Sequence, residues 1–90
     1  MIVKFDSAFN RDIKKIRDQA VKDLIADAIE ALENADSLGE VKEVAPMKGH
    51  KGFYRYKTPP FRIGILKVDE ETIILMRFMH RKDIYKYFPK

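Results

Sequence analysis

Gly52-Phe53-Tyr54-Arg55-Tyr56-Lys57-Thr58-Pro59-Pro60-Phe61-Arg62-Ile63-Gly64-Ile65-Leu66-Lys67-Val68 is the stretch that decides how this 90-residue chain folds. Phe53 to Lys57 alternates in the two-residue period of a strand, and Phe61 to Val68 is a second run rich in apolar and β-branched residues. Thr58-Pro59-Pro60 between them reads as a turn, because proline fixes its own backbone and cannot continue a ladder. Asp69-Glu70-Glu71 makes the next tight turn, and Thr72 to Met79 the next strand. Two short connections in succession predict an antiparallel meander. Alternation puts Phe53, Arg55 and Lys57 on one face of the first strand and Tyr54 and Tyr56 on the other. The tyrosines are expected to pack inward.

Upstream the period changes. Ile2, Val3 and Phe5 suggest a short first strand. Asp6 or Ser7 can cap a helix over about Ala8–Arg17, with Phe9, Ile13 and Ile16 on one side. Val21, Leu24, Ile25, Ala28, Ile29 and Leu32 recur at three- and four-residue steps, which makes a second, amphipathic helix. Asp18 is its candidate cap and Gly39 its candidate stop. The two helices read as a hairpin. Val41–Val44 suggests a brief edge strand before Pro46, and Gly49 and Gly52 mark a loop. Arg81–Phe88 reads as a short C-terminal helix before Pro89. The expected architecture is α+β: a strand, a helical hairpin, then a three-stranded meander packed on the helices, within one domain spanning residues 1–90. One sheet face is covered; the other is expected to bind.

Charge follows the same division. Residues 1–45 carry 7 Lys/Arg against 10 Asp/Glu, net −3, while residues 46–90 carry 11 against 4, net +7. Eight of the ten aromatic residues also lie between Phe53 and Phe88. Cations interleaved with aromatics on strands suit a surface that holds phosphates and stacks bases. With no cysteine, disulfides, thiolate metal sites and thiol nucleophiles are excluded. His50 and His80 come without a ligand set of suitable spacing, so no metal and no cofactor is expected. His50, in its glycine-flanked loop, is expected to be exposed without a role. The N-terminus lacks the features of a signal peptide, and no run approaches a membrane span, so a cytoplasmic location without membrane contact is expected.

Arg55, Lys57, Arg62, His80, Arg81 and Tyr85 can converge on one face and rim of such a meander. Cleavage of an RNA phosphodiester needs help for the 2′-hydroxyl to lose its proton, fixed positive donors for the charged phosphorane, and a proton for the leaving 5′-oxygen. Guanidinium groups suit the second task, since their planar fork matches phosphate oxygens and stays charged. Taken singly, any one of these cations is most simply a solvated strand residue; their clustering is what points to a site.

Met47-Lys48-Gly49, Gly52-Phe53-Tyr54-Arg55-Tyr56-Lys57, Phe61-Arg62-Ile63-Gly64-Ile65 and His80-Arg81-Lys82-Asp83-Ile84-Tyr85, in this order and spacing, resemble the RelE/ParE superfamily of bacterial and archaeal toxins. The resemblance covers nearly the whole chain. It implies a RelE-like fold and a toxin neutralised by a cognate antitoxin, with which it forms a heteromer. On the RelE branch it implies metal-independent cleavage of mRNA in the ribosomal A site, leaving a 2′,3′-cyclic phosphate. Carried over by position, Arg62 stabilises the transition-state phosphate. Arg55 and Lys57 engage the backbone and favour the ionised 2′-oxygen, with Lys57 the first choice for base. Arg81 lies near the leaving group, and Tyr85 stacks on or orients a base. Lys48, Lys51 and Lys82 complete the RNA-binding set. His80 has two readings, a general acid or a histidine hydrogen-bonded at a strand end. The Thr58-Pro59-Pro60 hairpin is shorter than in well-known RelE enzymes, which bears on how Lys57 stands relative to Arg62. The ParE branch, which acts on DNA gyrase, and an inactive relative that only binds RNA or a partner are the alternatives. The antitoxin segment is expected to be amphipathic and acidic where it meets residues 46–90, or else to dock on the helices and displace the C-terminal tail.

Overall fold

The computed structural model describes residues 1–89. β1 (Ile2–Phe5), α1 (Ser7–Lys14) and α2 (Gln19–Asn34) are followed by β2 (Val44–Pro46), β3 (Phe53–Thr58), β4 (Phe61–Lys67), β5 (Thr72–His80) and a four-residue α3 (Ile84–Tyr87). The expected meander is β3–β4–β5. It is extended on both sides into a five-stranded sheet of order β1-β5-β4-β3-β2. β2 adds an antiparallel edge on β3, while β1 runs parallel to β5 with Val3 opposite Ile73.

Local chemistry starts both long helices. Asp6 and Asp18 each hold an extended backbone, and each carboxylate accepts from the N–H two residues on, Ala8 and Ala20, at 2.9 Å. Such caps satisfy donors that no helical carbonyl reaches. α1 ends at Lys14 rather than at Arg17, because the chain must leave helical geometry before the extended Asp18. α2 stops at Asn34, where Ala35 turns extended; Gly39, expected as its stop, lies within a separate 3-10 turn, Leu38–Glu40. The edge strand begins at Val44 instead of Val41, and Val41 is buried in the core. The C-terminal helix is shorter than Arg81–Phe88. Arg81 N–H is drawn to Pro60 O at 2.9 Å and Lys82 N–H to His80 Nδ1 at 3.1 Å, which fixes residues 81–83 as a turn.

Burial follows strand alternation. Tyr56, Ile63, Ile65, Ile73, Leu75 and Phe78 meet Phe9, Ile25, Ala28 and Leu32 of the helices in the main core, with Tyr54 packed against it. The inward placement of both tyrosines agrees with their alternation. On the other face a smaller cluster forms from Met47, Ile84 and Phe88, flanked by Phe53, Met76 and Met79. Where β1 ends, α1 runs on beside β5: Phe78 N–H, an edge donor with no strand partner, is taken by Asp12 Oδ2 at 3.0 Å. Arg77 Nε and Nη2 hold the same carboxylate at 2.7 and 3.1 Å. Among the described residues no helix is long and apolar enough to cross a membrane.

Candidate functional site

The face of the sheet away from α1 and α2 carries the cations. Lys57 and Arg62 are direct partners across the β3–β4 ladder, and Arg55 is the partner of Gly64 two residues along. All three side chains share a parity opposite to that of the buried Tyr56 and Ile63. Thr58 pairs with Phe61, so the connection is a tight one and the short hairpin holds Lys57 opposite Arg62.

Ion pairing separates the arginines into two kinds. Arg77 is neutralised by Asp12, and its guanidinium carbon lies 5.9 Å from the Tyr87 ring centroid. The hydrogen bonds that Arg77 donates to Asp12 hold the Arg77 pKa above its usual value, against the opposing effect of burial. Arg55, Lys57, Arg62 and Arg81 have no carboxylate within salt-bridge distance among the described residues. Arg62 Nη1 donates to its neighbour Phe61 O at 3.1 Å, and its buried Nε has no acceptor among the described residues. A buried donor without a partner on a permanently charged group is costly for the fold.

Beside this row lies a cleft of about 470 Å³ lined by Pro46, Met47, Lys48, His50, Arg55, Tyr85, Phe88 and Pro89. Its outer wall is the 47–52 loop, built from two consecutive turns. His50 N–H donates to Met47 O at 3.0 Å, and Phe53 N–H donates to His50 O at 3.2 Å. Each turn places a glycine third, Gly49 at φ +82° and Gly52 at φ +87°. Type II turns require this left-handed position, which side chains other than glycine and asparagine rarely adopt. His50 is therefore fixed through both its amide and its carbonyl. Tyr85, 59% exposed, forms the facing part of the cleft from α3.

The structure brings Lys48, Arg55 and Tyr85 around one cleft and sets Lys57 and Arg62 farther along the same sheet face. Arg81 stands at the rim, tied through its amide to Pro60 at the β3–β4 turn. Lys51 lies on the loop but outside the cleft lining, and Lys82 is exposed in the turn after β5. His80 is not brought to the face of Arg62. It pairs with Phe61, whose ring it meets edge-on at 6.0 Å, and Phe61 stacks on buried Phe78 on the helical side. A β-bulge is responsible: Arg77 opposes Gly64 while Leu75 opposes Ile65, so Met76 is extra. One inserted residue reverses the facing of everything beyond it. His50 is exposed in its loop, as expected from sequence, and it also lines the cleft. Its flanking glycines were the available signal, since they fix the loop that presents it.

Residues 3–85 match the family model described as "ParE toxin of type II toxin-antitoxin system, parDE". Toxin RelE3 of Methanocaldococcus jannaschii is 38% identical over 90 residues, spanning 99% of this chain and 100% of that protein. The toxin-antitoxin RelB-RelE complex from Methanococcus jannaschii contains a chain that superposes with a TM-score of 0.74 at 35% identity, over 96% of this chain and 99% of that one. The isolated E. coli RelE toxin shares the fold, with a TM-score of 0.64 at 16% identity over 94% and 90% of the two chains.

Proposed function

This chain belongs to the RelE/ParE superfamily of type II toxin–antitoxin toxins, and on that premise we propose that it is a ribosome-dependent endoribonuclease that cleaves mRNA in the A site. The observation that carries this reading is the row of Arg55, Lys57 and Arg62, with no carboxylate within salt-bridge distance among the described residues and set on one sheet face beside the Tyr85 cleft.

The chemistry is an internal displacement. The 2′-oxygen forms a bond to phosphorus, the bond from phosphorus to the 5′-oxygen breaks, and a 2′,3′-cyclic phosphate remains. Lys57, as a cation, favours the ionised 2′-oxygen, whose proton passes to water, and Arg55 holds the backbone beside it. Arg62 offers its guanidinium to the non-bridging oxygens as charge grows on them, an interaction worth about 3–4 kcal/mol when a preorganised donor meets the transition state. These fixed cations supply the charge stabilisation, so the scheme requires no metal. Arg81 stands at the leaving-group end, where water beside its guanidinium supplies the proton to the 5′-oxygen. For His80 the strand-end reading is preferred, because its Nδ1 accepts from Lys82 N–H and its ring lies on the far side of the sheet. Tyr85 stacks on a base in the cleft, with Lys48 on the cleft wall and Lys51 and Lys82 farther out on the backbone path. Such contacts release counterions, so RNA binding weakens steeply with salt.

The partner proposed is a cognate antitoxin, as in the RelB-RelE complex above. A segment that is acidic where it crosses this face would compete with RNA for the same cations. A cytoplasmic site of action follows from the ribosomal substrate. The matched family model's ParE description favours a second reading, a gyrase poison without RNA chemistry. Cell-free translation of a defined mRNA, mapped by primer extension, and a gyrase supercoiling assay run in parallel decide between them. Cuts within codons at ribosomes with gyrase unaffected are expected; intact mRNA with inhibited supercoiling would establish the second reading.

A further inference from the structure

Gly64 occupies the middle of β4, a central strand, where a glycine contributes no packing and weakens the strand. The space its side chain would fill is taken. A Cβ at position 64 would lie 2.6 Å from Phe88 Cδ2, 2.7 Å from Cε2 and 2.8 Å from Cγ. The Phe88 ring therefore rests on bare backbone, at a point whose ladder partners are Arg55 on β3 and Arg77 on β5. Phe88 is 4% exposed and meets Phe53 edge to face at 5.6 Å. Its N–H donates to Ile84 O at 2.8 Å, and Ile84 is fully buried. Tyr85 is carried between these two anchors, and it shares the cleft with Phe88 and Arg55.

We propose that Gly64 and Phe88 act as socket and peg, positioning residues that seat Tyr85 against Arg55 in the cleft. The seating is geometric; its consequence for cleavage rests on the nuclease reading above. α3 has only one turn, too short to hold itself in place without tertiary contacts. Its orientation is therefore set by what anchors it, Ile84 at one end and Phe88 at the other. Any side chain at position 64 must lift the ring and turn Tyr85 away. Phe88→Ala removes the peg without adding bulk to the strand.

The test compares the full chain with Gly64→Ala, Phe88→Ala and the compensating pair Gly64→Ala with Phe88→Leu, each with and without Tyr85→Ala. Ring signals of isotope-labelled tyrosine, assigned to Tyr85 by their loss in Tyr85→Ala, report seating in the free protein. They are expected to move toward free-tyrosine positions in both single variants and to return in the compensating pair. In the Tyr85 background each single variant is expected to lower ribosomal cleavage about tenfold or more, since misplacement by an ångström has effects of this size. In the Tyr85→Ala background the further loss should stay below about twofold, because the two changes then act through one residue. Unmoved Tyr85 signals in Gly64→Ala, or equal losses in both backgrounds, would overturn the proposal. Ring signals that follow the expected pattern in a wild-type chain unable to cleave would uphold the socket and overturn the nuclease reading.

Discussion

Lys57 and Arg62 face each other as direct partners across the β3–β4 ladder, with no carboxylate within salt-bridge distance of either among the described residues. Like charges placed opposite one another on a sheet oppose folding. Their juxtaposition makes sense where an anion is meant to lie between them. Replacing Lys57 by Gln should therefore raise the denaturant midpoint, by the equivalent of about 0.5 kcal/mol, while lowering RNA cleavage. Urea titration and primer extension on the same preparation check both halves. A variant that loses stability and keeps activity would remove Lys57 from the site.

Asp12 has a different task. It joins α1 to β5 by holding Arg77 through two hydrogen bonds and capping the Phe78 amide with a third. Asp12→Ala leaves a half-buried guanidinium and an edge N–H without acceptors, and should cost about 2–3 kcal/mol. Asp12→Asn retains an acceptor for Phe78 and should cost less. Chemical denaturation of the two variants tests the order.

Tyr56 is buried under the helices, and that burial raises its pKa above the usual phenol value, with Glu43 and Asp27 adding to the effect. A raised folded-state pKa means that the neutral form is favoured by folding. The contribution is fully present below the unfolded phenol pKa, about 10, and is lost as pH rises through the higher folded value. Alkaline unfolding should thus begin above about pH 10 and be accompanied by tyrosinate absorbance. Tyr56→Phe should unfold at higher pH. Identical alkaline transitions in the two proteins would assign the loss to other groups.

His80 and Arg81 are neighbours with separate duties on this account. His80→Ala should lower cleavage less than about tenfold, below the range for removing a general acid. Arg81→Ala should lower it more. The pH profile of cleavage distinguishes a structural histidine from an acid: the acidic and basic limbs should keep their positions in His80→Ala. Loss of one limb would restore the general-acid reading.

The parts of the fold that sequence reveals are those specified locally. Alternation from Phe53, the Thr58-Pro59-Pro60 turn and the Asp69-Glu70-Glu71 turn determine the meander, and the stripe from Val21 to Leu32 with Asp18 before it determines α2. β1 is readable as a strand but its partner is not, because parallel pairing to β5 closes over some seventy residues and leaves no turn signature. The facing of His80 is hidden for another reason. Simple alternation through β5 predicts the Arg62 face, and the extra residue at Met76 reverses it. His50 enters the cleft only because two glycine turns and the tail meet there, a convergence of segments separated by more than thirty residues. The cationic row itself was legible, since Arg55, Lys57 and Arg62 need only strand parity and one hairpin to converge.

The most direct measurement is cell-free translation of a defined mRNA with the purified chain and with Arg62→Ala, followed by mapping of the new 5′ ends. Wild-type protein should cut within codons at ribosomes. Arg62→Ala should cut about 10²- to 10³-fold more slowly at unchanged thermal stability or better. Equal cutting by the two proteins would contradict the assignment of the cationic face as the catalytic surface.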